Sequence, residues 1–149
     1  MLVFSDLTLA QQKDFLANVP PEKLKADVVI APHHGTAGLE TITVGLPDDM
    51  DARLAETTGA LLKATEAEAV IFEFGNPRPV VGLQYKEAVK IHGATKRTAE
   101  DALPGALVAA TDTDGAVVVT SDGTDHHVYT QLGSTGTNVD EPSLLEIGW

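Results

Sequence analysis

The stretch Asp27-Val-Val-Ile-Ala-Pro32-His33-His34-Gly35-Thr36 decides the reading of this chain. Four apolar residues, three of them β-branched, carry a buried strand over 27–31, and Pro32 stops it. Two adjacent imidazoles follow, then a glycine that lets the backbone turn tightly and a hydroxyl. A strand that ends by delivering metal-capable side chains into a loop is a common way to build a catalytic site. Histidine is the usual nitrogen ligand for zinc and related metals.

Working outward, the spacing predicts an alternation of strands and helices. Residues 2–5 read as a short strand leading to Asp6, and Thr8 starts a helix, with Gln11 completing a capping box. Leu9, Phe15, Leu16 and Val19 form that helix's apolar side, and Pro20-Pro21 ends it. After the histidines, Thr36 to Pro47 is Gly- and Thr-rich, with a β-like piece at Thr41-Ile-Thr-Val44. Asp48 or Asp49 can cap a helix to about Ala64, with Met50, Leu54, Leu61 and Leu62 on or near one face. A strand at 69–74, a loop through Pro77-Arg78-Pro79, and a helix from Leu83 to His92 closed by Gly93 come next. A strand near 106–111 precedes a hairpin of about 115–120 and 126–131. The expected fold class is α/β, a mixed sheet with flanking helices and a C-terminal β-hairpin. Residues 1–132 form one domain in this reading, and 133–149 a flexible acidic tail with an apolar end at Leu144, Leu145, Ile147 and Trp149.

Composition narrows the function classes. The 149 residues are 43% hydrophobic, enough for one genuine core, and no run approaches the ~20 apolar residues of a membrane span. The start lacks a basic n-region and a cleavage pattern, so a cytoplasmic protein without a secretory signal is expected. The absence of cysteine removes disulfides, thiolate metal sites and a cysteine nucleophile. A net charge of −12, with no basic run, argues against autonomous nucleic-acid binding. No GxGxxG, GxxxxGK[ST] or GxSxG motif is present.

Four segments, in order, carry a family resemblance. Met1-Leu-Val-Phe-Ser-Asp6-Leu7 is similar to a strand ending in a metal-ligand aspartate, usually "LLLTGD". Asp27 to Thr36 resembles "strand-HHGS", Ala69-Val-Ile-Phe-Glu-Phe-Gly75-Asn76 resembles "AVISVG…N", and Thr111 to Gly123 resembles "TDxDGAVTVTSDG". Together they resemble the metallo-β-lactamase fold, in the branch found at the C-terminus of ComEC-type competence proteins, over roughly residues 1–123. The resemblance implies a partial αββα sandwich and metal-dependent hydrolysis, most plausibly of phosphodiesters, with zinc or manganese as cofactor. The family's HxHxDH motif is absent, so the chain resembles the C-terminal half of such a hydrolase, inactive alone. The rest of the site would come from a complementary N-terminal half or a homodimer. The alternative is a non-catalytic binding module that keeps part of the fold.

The resemblance also assigns residues. Asp6 and His34 become the catalytic candidates, and Asp6, His33 and His34 the metal ligands, with the division between the two histidines open. Taken alone, Asp6 reads more readily as a helix cap. Thr36, Asn76 and Arg78 are candidates for substrate binding, although Thr36 replaces serine and Arg78 stands where the family places a His-Pro pair. Ser5 occupies the position of a family glycine. His92 reads as a surface residue of its helix. Asp112-Thr-Asp114-Gly115 reads as a turn rather than a calcium loop, and His126 and His127 should face opposite ways on a strand.

Overall fold

A computed structural model describes residues 1–35, 48–73 and 82–131, with 82–88 by their backbone alone. Four parallel strands, β1 (Leu2–Val3), β2 (Val28–Ile30), β3 (Ala69–Phe72) and β4 (Leu107–Ala110), form one sheet in sequential order. Parallel neighbours need crossover connections. The helices that supply them are α1 (Leu9–Asn18), the rod α2 (Met50–Leu54), π turn (Ala55–Gly59) and α3 (Ala60–Thr65), and α4 (Gly82–Ala102). A short helical turn, α5 (Thr111–Asp114), leads to the antiparallel hairpin β5 (Val117–Ser121) and β6 (His126–Thr130), a separate two-stranded sheet. The protein is thus α/β, with helices on a parallel sheet and a C-terminal hairpin.

Strand alternation sorts the core into two layers. Val29, Ala31, Val70, Phe72 and Ala110 turn one way, against Phe15 and Leu16 of α1, Leu61 and Leu62 of α3, Ala99 of α4 and Leu103 just past its end. Val28, Ala69, Ile71, Leu107 and Ala109 turn the other way and, among the described residues, pack with the hairpin through Val117, Val119 and Val128. Burying each Val, Leu or Phe removes about 1.5–3 kcal/mol of exposed apolar surface from water, so the helical layer dominates stability. At the sheet's first edge, Met1 and Val3 stay exposed on the hairpin side.

The capping box forms as its spacing predicts. Gln11 N donates to Thr8 Oγ1 at 3.3 Å, and Thr8 N donates to Gln11 Oε1 at 2.8 Å. Asp49 does stand before α2, but its carboxylate accepts from Arg53 Nε at 2.9 Å instead of capping the helix amides. The largest correction concerns α4. The helix passes through Gly93 to Ala102, because Ile91, Ala94, Thr95 and Ala99 continue a buried stripe across the glycine. That burial outweighs the roughly 1 kcal/mol helix penalty of one glycine.

Gln12, a polar residue on the same helix face as Leu9, Leu16 and Val19, is fully buried. Its Nε2 donates to Leu7 O at 3.0 Å, and its Oε1 accepts from Thr58 Oγ1 at 2.8 Å. It therefore ties the start of α1 to the π turn. Among the described residues no helix is long and apolar enough to cross a membrane. The β-like piece at 41–44, the Asn76–Arg78 loop and the tail from 133 lie outside the described residues.

Candidate functional site

The carboxyl ends of parallel strands are where α/β sheets bind ligands. Here all four strands end on ionisable or polar side chains. β1 runs out through Phe4 to Asp6, β2 through Pro32 to His33 and His34, β3 directly into Glu73, and β4 into Thr111 and Asp112.

The β1 and β2 ends are latched by a backbone hydrogen bond, His33 N donating to Ser5 O at 2.6 Å. Forming it requires unusual backbone on both sides. Ser5 has φ of 48°, a left-handed conformation that suits the glycine of the resembling motif. His33 and His34 lie at φ 49° and 56°, and Gly35 continues the left-handed path at φ 82°. Each such non-glycine residue costs about 1–2 kcal/mol. Strain of this kind concentrates where a side chain must be aimed.

What it aims is His34. Its Nε2 lies 3.1 Å from Asp6 Oδ1, and its Nδ1 lies 3.6 Å from Glu73 Oε2. All three side chains are more than half exposed, so these pairs add little stability and remain open to a ligand. The site residues Asp6 and His34 therefore come together. His33 is adjacent, its ring centroid 6.3 Å from that of His34 at 71°. Of the two histidines, His34 is the one whose ring lies between Asp6 and Glu73. Thr36, Asn76 and Arg78 lie outside the described residues.

Two neutral or negative atoms at 3.1 Å repel unless positive charge lies between them. A proton on Nε2 or a cation shared with Asp6 supplies it. Neighbouring ligands about 2.0–2.1 Å from a tetrahedral zinc stand roughly 3.3–3.4 Å apart, so this spacing suits a shared small cation. Glu73, at Nδ1, occupies the place of the carboxylate that commonly orients a metal-ligating histidine. Among the described residues no group of three His, Asp or Glu side chains converges as a complete metal site. Asp6 and His34 thus fit as two ligands of a set that needs more.

His92 overturns its reading as a surface residue. It is only 6% exposed, and its ring meets Phe72 edge-on at 5.7 Å and 87°. Burial lowers its pKa below the ordinary 6.5; Asp112, whose Oδ2 is 3.9 Å from Nδ1, pulls the other way, and Lys96 adds to the lowering. Glu73 and His92 are the residues that sequence reasoning missed. Glu73 had a usable signal, because it is the first residue past a buried strand. The signal at His92 was masked by the glycine that follows it.

The remaining polar motifs are structural. Asp114 Oδ2 accepts from Ala110 N at 2.7 Å and from Thr113 Oγ1 at 3.1 Å, which closes the turn after β4. His126 approaches Glu68 at 3.6 Å while His127 stacks on Tyr129, on opposite faces as alternation requires. A groove of about 420 Å³ between the α2–α3 rod and α4 is floored by Ala55, Gly59, Ala60 and Ala94 and lies away from the strand ends. No family model, curated protein or solved structure matches this chain.

Proposed function

We propose that this chain is the ligand-bearing C-terminal half of a metal-dependent hydrolase of the metallo-β-lactamase type, with a phosphodiester as the class of substrate. The observation that carries the reading is the 3.1 Å approach of His34 Nε2 to Asp6 Oδ1 at adjacent strand ends, with Glu73 at the other ring nitrogen. Four sequence segments resembling that family, in its order, support it. Zinc or manganese bound there would supply Lewis acidity toward a phosphoryl oxygen. The chain's own residues do the rest. Asp6 and His34 hold the cation, Glu73 keeps the proton on Nδ1, and the left-handed turn fixes the imidazole's direction. Two ligands are too few for tight binding, so the remaining ligands come from a complementary half or a second copy. A cytoplasmic setting is part of this reading, with no nucleic acid bound by the acidic chain alone.

The small ligand set equally favours a second reading, a binding module that keeps the fold without turnover. Titration with Co²⁺ or Zn²⁺, followed by calorimetry, tests the first. Binding in the 10–1000 µM range is expected on the order of a two-ligand site, lost in both Asp6→Asn and His34→Gln. A folded chain that binds no cation at millimolar concentration, or whose binding survives both substitutions, sinks the metal reading and leaves the module.

A further inference from the structure

We infer that His92, with Asp112 beside it, is a positioning residue for His34: the buried imidazole is a floor on which the left-handed turn rests. The inference deepens the proposed site and rests on that reading for its purpose, but its geometry stands alone. Gly35 is the residue after His34, and a methyl group on it would overlap Phe72 Cδ1 and lie 3.0 Å from Phe72 Cε1 and 3.3 Å from His92 Cδ2. The turn's backbone is therefore seated directly on two rings, one from β3 and one from α4. His92 is the ring that closes the gap between that helix and the β2 end.

Packing alone would be met by Phe or Leu. A buried imidazole is costly to desolvate, so its presence asks for a polar partner. Asp112 supplies a nearby charge rather than a hydrogen bond, its Oδ2 3.9 Å from Nδ1 and its side chain 28% exposed. Asp112 is in turn carried by the end of β4, where Thr111 Oγ1 donates to Phe72 O at 3.4 Å. The β3 end, the β4 end and α4 thus converge under the turn that β2 presents. A site held within half an ångström needs such a support, because its own loop is strained and would relax if the floor were removed.

The deciding experiment reads the His34 ring in the metal-free full-length chain by long-range ¹H–¹⁵N NMR, and then measures Co²⁺ affinity. His92→Ala is expected to shift the His34 ring signals and average its tautomers, and to weaken Co²⁺ about tenfold. His92→Phe, which restores the ring, is expected to recover at least half of both effects. Should His92→Ala fail to fold, Asp112→Ala decides, with a shift of the His34 signals in the same direction and about threefold weaker Co²⁺ binding. A folded His92→Ala chain, or failing that Asp112→Ala, with wild-type His34 signals overturns the inference. Wild-type protein that binds no Co²⁺ overturns the metal reading instead, and the metal-free signals still judge His92.

Discussion

The two ends of the parallel sheet are built by opposite rules. At the amino end the chain is stitched by ordinary backbone hydrogen bonds. Ala26 N donates to Thr65 O at 3.0 Å, Glu68 N and Ala69 N to Asp27 O at 2.9 and 3.0 Å, and Leu107 N to Glu68 O at 2.8 Å. At the carboxyl end, Ser5, His33 and His34 are all held left-handed, and the ionisable side chains gather there. One end secures the sheet, and the other uses that security to hold a costly geometry. The difference teaches where function is sought: where several strained residues and titratable groups coincide, on the end that the fold can support.

Glycine-to-alanine substitution breaks the comparison most sharply. Gly35 and Gly105 are both left-handed, at φ 82° and 87°. Gly105, before β4, has open space where a methyl group would go, whereas Gly35 faces Phe72 and His92. Gly35→Ala is expected to destabilise by about 2–5 kcal/mol, overpacking added to backbone strain, and Gly105→Ala by only about 1–2 kcal/mol. Urea unfolding of the two variants checks this. Equal losses would mean that the turn at Gly35 can move off the rings.

Replacing strained residues by glycine sharpens the same contrast. Glu66, which ends α3 at φ 53°, and His34, at φ 56°, occupy similar backbone conformations at opposite ends of the sheet. Glu66 also pairs with Lys25 at 2.7 Å, but both side chains are more than half exposed and the pair contributes little. Glu66→Gly and His34→Gly should each raise stability by up to about 1 kcal/mol as left-handed strain is relieved. Only His34→Gly should abolish cation binding. A gain in stability at both positions with loss of binding at one would identify the strain at His34 as functional.

Much of this was legible in the sequence, for reasons that are local. Buried strands announce themselves as short β-branched runs, and the α1 start is written in Thr8 and Gln11, three residues apart. Asp6 and His34 were nameable only through the family resemblance of the segments that hold them, since Asp6 taken alone reads as a helix cap. What was illegible depends on partners distant in sequence. Gln12 falls on the apolar face of α1 by spacing, but its hydrogen-bond partner Thr58 is 46 residues away, and α4 looks finished at Gly93 until β3 and α3 bury the face beyond. His92 becomes a site residue only through Gly35, Phe72 and Asp112, none of which is nearby in the chain. The left-handed histidines have no sequence signature at all, since the latch to Ser5 imposes them.

The smallest effect expected is on pH dependence, and it separates the carboxyl end from the hairpin. Asp122, in the β5–β6 loop, has its pKa lowered by the backbone amides of Asp125 and Thr124, which its Oδ1 accepts at 2.8 Å. A carboxylate of that kind stabilises above its ordinary 3.8 and loses its contribution only as pH falls through its lower folded value. His92 acts earlier. Burial lowers its folded pKa, so between 6.5 and that lower value the unfolded chain binds the extra proton and stability declines with acidification. The facing charges set the width of this window: Asp112 raises the folded value and Lys96 lowers it further. Asp112→Asn should therefore push the folded pKa down and steepen the loss below pH 6.5, whereas Lys96→Gln should narrow the window. Urea midpoints between pH 7.5 and 5 measure both. If the two variants followed the wild-type curve, the imidazole would not be held between those charges, and the floor beneath Gly35 would owe its orientation to packing alone.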